Sequence, residues 1–172
     1  LVKRCAALGM PAVALTDQAN LFAMVKFYRA AMERGIKPVI GVDLWLREAG
    51  ERTDASRLTL LAQNLGGYRN LTRLVSRSYT QGWQHGCPTV DTQWLDGAAS
   101  AGLLCLSGAR EGGIGRALLA GRDDEARRLL LHWQSLFGDR FYLEVQRTGR
   151  PGEEEYLQRL ADLLHGSPAP IV

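Results

Sequence analysis

The chain alternates short apolar runs with longer amphipathic segments, and the turns between them are marked by glycine, proline and polar residues. The run "AVALT" at 12–16 predicts a buried strand, and 21–34 predicts a helix whose core face is Phe22, Val25, Tyr28, Ala31 and Met32, closed by Gly35. "KPVIGVDLWL" predicts a strand over 38–46, and a polar, turn-rich stretch at 47–56 leads to a third strand, "RLTLLAQN". "GYRNLTRLVSRSYTQG" reads as a helix, 82–88 as a loop, and 91–97 as a short helix before the strand "GLLCLSG". "REGGIGRALLAG" is a turn and a short helix, and "DDEARRLLLHWQSLFG" is a helix with acids in its first turn, where the macrodipole favours them. The strand "FYLEVQ" and the helix "EEEYLQRLADLLHG" follow. At the ends, "LVKRCAALGMP" reads as the tail of a helix and "SPAPIV" as the start of another strand, so the reading is of a fragment.

Strand–helix alternation predicts an α/β fold with a parallel sheet or barrel, in which reactive groups gather at the C-terminal ends of strands. The chain has 172 residues, 46% of them hydrophobic and 23% charged, enough for one domain with a sizeable core. A net charge of +3 is too small to imply nucleic-acid binding by itself. No apolar stretch approaches the ~20 residues of a membrane span. Cys5, Cys87 and Cys105 lie far apart without metal-binding spacing, which points to reduced thiols and a cytoplasmic setting.

Three acids occupy or approach strand ends: Asp17, Asp43 and Glu144. Hard oxygen ligands converging on one face suit a divalent cation. The plainer reading is that each acid caps a helix or pairs with an arginine, Asp17 capping the 21–34 helix. His85, His132 and His165 fall in a loop, inside a helix and at a helix end, so no imidazole is offered to a strand-end site. "SGAREGGIG" follows a strand and opens a helix, as a phosphate cradle would, yet it lacks the lysine and the glycine spacing of the known motifs and fits a tight turn. Arg69, Arg73 and Arg77 share one helical face, either to contact phosphates or as a solvated surface.

Four ordered blocks, "GMPAVALTDQANLFAMVKFYRAAMERGIKPVIGVD", "RLTLLAQNLGGYRNLTRLVSRSY", "LLCLSGAREGGIGRALLAG" and "FYLEVQRTGRPGEEEYL", resemble the PHP (polymerase and histidinol phosphatase) domain of bacterial DNA polymerase III α subunits. The resemblance spans residues 1–172 and implies a distorted (βα)7 barrel, incomplete at both ends, without the family's first strand and its last strands. In members with an intact site, histidines and carboxylates hold metal ions that hydrolyse phosphoesters. This sequence departs from that pattern: the family's histidine after Asp17 is Gln18, its glutamate is Asp43, and its histidine opening the third strand is Arg57. The cysteine often found after "LSG" is Ala109, and a further histidine is Thr148. The pocket positions Asp17, Gln18, Asp43, Arg57, Glu144 and Thr148 are therefore expected to hold no metal, with the Arg57 guanidinium neutralising Asp17 or Asp43 instead.

The resemblance implies a domain without catalysis of its own, a scaffold for the rest of the α subunit and a docking surface for a separate ε exonuclease subunit. DNA would be met through the full-length protein, whose polymerase site, with its magnesium, belongs to a palm domain outside this chain. The competing expectation is a metal-dependent phosphoesterase using Asp17, Asp43 and Glu144.

Overall fold

The computed structural model describes residues 1–47, 55–166 and 169–172. Most of the turn-rich stretch expected at 47–56 lies outside the described residues. The chain opens on α1 (Val2–Ala7), β1 (Ala12–Gln18), α2 (Met24–Met32) and β2 (Lys37–Arg47). It continues through β3 (Ser56–Ala62), α3 (Leu65–Thr80), a hairpin of β4 (Trp83–Gln84) and β5 (Cys87–Asp91), and β6 (Leu103–Leu106). The helices α4 (Gly113–Leu119) and α5 (Asp123–Phe137), the strand β7 (Phe141–Tyr142) and α6 (Glu153–Gly166) complete it.

One mixed sheet organises these elements. β2 pairs in parallel with β1 and β5 and antiparallel with β3; β6 pairs antiparallel with β3 and parallel with β7. The expected parallel order is thus corrected: β3 returns directly from β2 as a hairpin arm, so it must run against its neighbours. Beyond β7, Leu143 and Val145 bond to Pro170 and Val172, which adds the strand anticipated at "SPAPIV". Among the described residues the sheet does not close on itself, as in an incomplete barrel.

Alternation along the strands sends one set of side chains into the core. Val42, Leu44, Leu58, Leu60, Leu103, Cys105, Phe141 and Leu143 pack under α3, α4, α5 and α6 through Leu71, Leu118, Leu130 and Tyr156. Each fully buried aliphatic side chain contributes about 1.5–3 kcal/mol. The Cys105 thiol is buried here, and burial pushes its pKa well above the ordinary value. A smaller cluster joins Val2, Cys5, Phe27, Ala31 and Ile36 beneath α1 and α2. The core face expected for α2 is therefore largely reversed: Ala31 is buried, but Phe22, Val25, Tyr28 and Met32 are exposed and Phe27 takes the inner position.

Two further corrections concern short elements. The expected loop at 82–88 contains the β4–β5 hairpin, and the expected helix at 91–97 is a pair of three-ten turns, Thr92–Leu95 and Gly97–Ser100. No helix among the described residues is long and apolar enough to cross a membrane.

Candidate functional site

Because Val42 and Leu44 point into the core, Gly41, Asp43 and Trp45 point to the opposite face. The register places Gln18 beside Asp43 on one side, and Thr59 and Arg57 opposite Asp43 and Trp45 on the other. Arg57 Nη2 forms an ion pair with Asp43 Oδ2, and Nη1 donates to Glu111 Oε2 at 2.7 Å. The guanidinium carbon lies 5.9 Å from the centre of the Trp45 ring, and the Thr59 hydroxyl makes a long contact to Asp43 Oδ1 at 3.5 Å. Asp43 is only 6% exposed, so its charge is sustained by the guanidinium rather than by water. The hydrogen bond from Arg57 holds the Glu111 carboxyl below its ordinary value against the opposing effect of partial burial; the charges of Arg57, Arg110 and Arg150 add to it.

Glu111 is delivered by the glycine-rich turn. Ala109–Glu111 form a three-ten turn after Gly108, whose φ is 76°. Gly112 lies against the Ser107 carbonyl and bridges to Arg57, and a Cβ there would collide with that carbonyl. "SGAREGGIG" is thus a tight turn that presses a carboxylate onto Arg57. Glu111 carries no periodic or motif signal, and sequence reasoning missed it; an acid within a glycine-rich turn directly after a strand was the available clue.

The remaining candidates do not converge on this pair. Asp17 shares its face with Val42, on the side of α2, and lines a small recess with Leu15, Asn20, Leu21, Met24, Ile40 and Gly41. It neither meets Arg57 nor caps α2, whose first residue has no side-chain cap. Asn20 supplies the turn instead, its Oδ1 accepting from the Phe22 amide at 3.0 Å. Glu144 follows Leu143, which points into the core, so alternation turns it to the Asp43 face; its Oε1 accepts from Gln146 Nε2 at 2.7 Å. Thr148 caps the approach to α6: its amide donates to Glu153 Oε2 at 2.7 Å and its hydroxyl to Oε1 at 2.5 Å. That hydroxyl bond is the main reason the Glu153 carboxyl is held below its ordinary value.

Arg69, Arg73 and Arg77 are exposed along α3. Arg73 donates to Asn70 Oδ1 at 3.3 Å, while Arg77 donates to Gln81 Oε1 at 2.8 Å and stacks 4.0 Å over Trp94. His85 sits in the β4–β5 turn, so it does follow a strand, but at the end of the sheet where β5 begins. His132 lies edge-on to Trp133, and His165 Nδ1 meets the Ala161 carbonyl at 2.8 Å.

The resemblance implies metal ions at the strand ends. Among the described residues, no three His, Cys, Asp or Glu side chains are grouped to hold a metal ion. Beside Arg57 lies a cavity of about 650 Å³, bordered by Arg47, Arg116, Arg122, Arg128 and His132. Glu125 also borders it and pairs with Arg122 at 2.7 Å, while the charge directly against Asp43 is that of Arg57. Among the described residues, the side chains on this face do not make a metal-binding set.

Comparison with known proteins places this geometry in context. The PHP domain family profile matches residues 1–148. The chain is 49% identical over 172 residues to DNA polymerase III subunit alpha of Pseudomonas aeruginosa, and 42% identical over 172 residues to that of Escherichia coli K12. In both cases the whole chain is covered, and it spans 15% of the relative's length. Among solved structures, an amidohydrolase from Chromobacterium violaceum, with bound sulfate and no metal, superposes with a TM-score of 0.65 at 14% identity, over 99% of this chain and 78% of that one. A putative metal-dependent phosphoesterase from Bifidobacterium adolescentis gives 0.63 at 12% identity over the same shares. These two similarities speak to the fold alone.

Proposed function

Since the chain belongs to the PHP domain family and is similar along its whole length to DNA polymerase III α subunits, we propose that it is the PHP portion of such a subunit and performs no hydrolysis itself. The observation that carries this reading is the Arg57 guanidinium seated between Asp43 and Glu111, a side-chain cation where a hydrolytic site would hold metal ions. On this reading the pocket positions Asp17, Gln18, Asp43, Arg57, Glu144 and Thr148 are structural, and the domain serves as a scaffold in the cytoplasm for the rest of the α subunit. It also presents a docking surface to the proofreading exonuclease subunit. Nucleotide transfer to DNA, with its magnesium, belongs to regions outside this chain, and Arg69, Arg73 and Arg77 would at most add phosphate contacts.

The test is metal analysis of the full-length protein together with hydrolysis of a phosphodiester such as bis(p-nitrophenyl) phosphate in the presence of manganese. No hydrolysis above the protein-free rate is expected. Stoichiometric metal together with hydrolysis abolished by Asp43→Asn overturns the reading in favour of the phosphoesterase alternative. Docking is read separately, by co-elution of the full-length protein with the purified exonuclease subunit.

A further inference from the structure

The outer side of α2 and the turn leading into it carry Phe22, Val25, Tyr28 and Met32, exposed at 87%, 53%, 49% and 56%. They recur at steps of three and four residues, which makes them one stripe. Phe27 and Ala31 occupy the opposite side and pack with Val2, Cys5 and Ile36. A helix apolar on both sides is normally buried on both, whereas α2 has a partner on one. Leu65 on α3 and Leu131 on α5 are exposed away from this stripe and need no such explanation.

Charge identifies what would cover the stripe. Lys26 follows Phe22 by one turn, and Arg29 falls between Val25 and Met32, both exposed. Over residues 1–37 as a whole the sequence holds six basic residues against two acids. One of those acids, Asp17, lies in the recess beside Leu21 and Met24, and the other, Glu33, is 3.6 Å from Arg34. A second copy docked on the same face would set like charges against each other. We propose that this stripe is the docking face for an acidic, amphipathic segment of another protein, whose apolar side chains meet Phe22, Val25, Tyr28 and Met32 while its carboxylates meet Lys26 and Arg29. The proposal goes beyond the docking role given above, which assigns no surface, and it stands or falls separately.

The experiment uses the full-length protein in cells, with Phe22 or Met32 substituted in turn by the photo-crosslinking p-benzoylphenylalanine and the cross-linked peptides sequenced by mass spectrometry. Leu65, comparably exposed on α3, is the control position. The expected result is a cross-link from both positions to one net-acidic segment of a different polypeptide, with a yield that falls about tenfold on Arg29→Glu. Cross-links to the protein's own polypeptide or to a second copy, a yield no greater than at Leu65, or indifference to Arg29→Glu each overturn it. A partner other than the exonuclease subunit upholds the surface while counting against the docking role above. Failure at the stripe, with exonuclease co-elution intact, does the reverse.

Discussion

Arg57 joins Asp43, almost wholly buried, to Glu111, which is partly exposed, so removing it leaves unequal consequences on the two sides. Losing one partner of a fully buried ion pair costs roughly 3–5 kcal/mol, and an exposed pair contributes about 0–1 kcal/mol. Arg57 keeps 33% of its side chain exposed, so Arg57→Ala is expected to destabilise the protein by about 2 kcal/mol, mostly through the orphaned Asp43. Chemical denaturation measures this, and Arg57→Lys should lose less, since an ammonium keeps the charge but cannot grip both carboxylates in one plane. The pH dependence has a definite sign. Glu111 has a folded pKa below the ordinary 4.5, so its contribution is present above 4.5 and is lost as the pH falls through the folded value. Arg57→Ala should flatten that acid limb; an unchanged limb would mean that Glu111 does not rely on Arg57.

At the scale of elements, the glycine-rich turn and α6 determine how the site is framed. Gly112→Ala should cost about 2–3 kcal/mol, because the new methyl meets the Ser107 backbone rather than a side chain that can rotate away. Tyr156, on α6, is buried, donates to the Glu144 carbonyl at 2.9 Å, and has its pKa raised by burial to about 12. Between pH 10 and 12 the unfolded phenol ionises while the folded one stays neutral, so stability should fall by about 1.4 kcal/mol per pH unit. In Tyr156→Phe the alkaline decline should become shallower, leaving the part due to the buried Cys105 thiol, as thermal melts at stepped pH would record. Elements with strong local signals, such as the buried β2 run and the acids opening α5, can be read from the sequence because burial and dipole act within the segment. The α2 face cannot: two apolar stripes share the helix, and periodicity does not say which one meets the sheet. Direction is equally hidden for β3: strand–helix alternation predicts parallel pairing, whereas β3 follows β2 with no helix between them in the element order and pairs with it antiparallel. Arg57 and Asp43 stand out as departures from a family pattern, whereas Glu111 reaches the pair through a turn whose path only tertiary contacts define.

For the whole molecule, the contrast between the two faces of the sheet matters most. One face is sealed by α3, α4, α5 and α6 around Leu58, Leu60 and Leu103, while Thr16, Trp45, Thr59, Leu61, Leu104 and Leu106 on the other are only half-buried. β1 bonds to β2 along one edge, and among the described residues nothing pairs with its other edge. An unpaired edge beside a half-covered apolar face is a template for pairing with another chain. Residues 1–172 expressed alone should therefore self-associate through β1, with a mass by light scattering that rises with concentration. Ala14, exposed in the middle of β1, is where a charge would interfere most directly with edge pairing. Ala14→Lys should shift the population towards monomer without lowering stability, because no core contact is lost. Phe22→Asp on α2 should leave that self-association unchanged, because β-edge pairing and the α2 stripe are separate surfaces. A strictly monomeric wild-type chain at high micromolar concentration would show instead that the edge is protected by its twist or its side chains, and that Ala14 has no role in association.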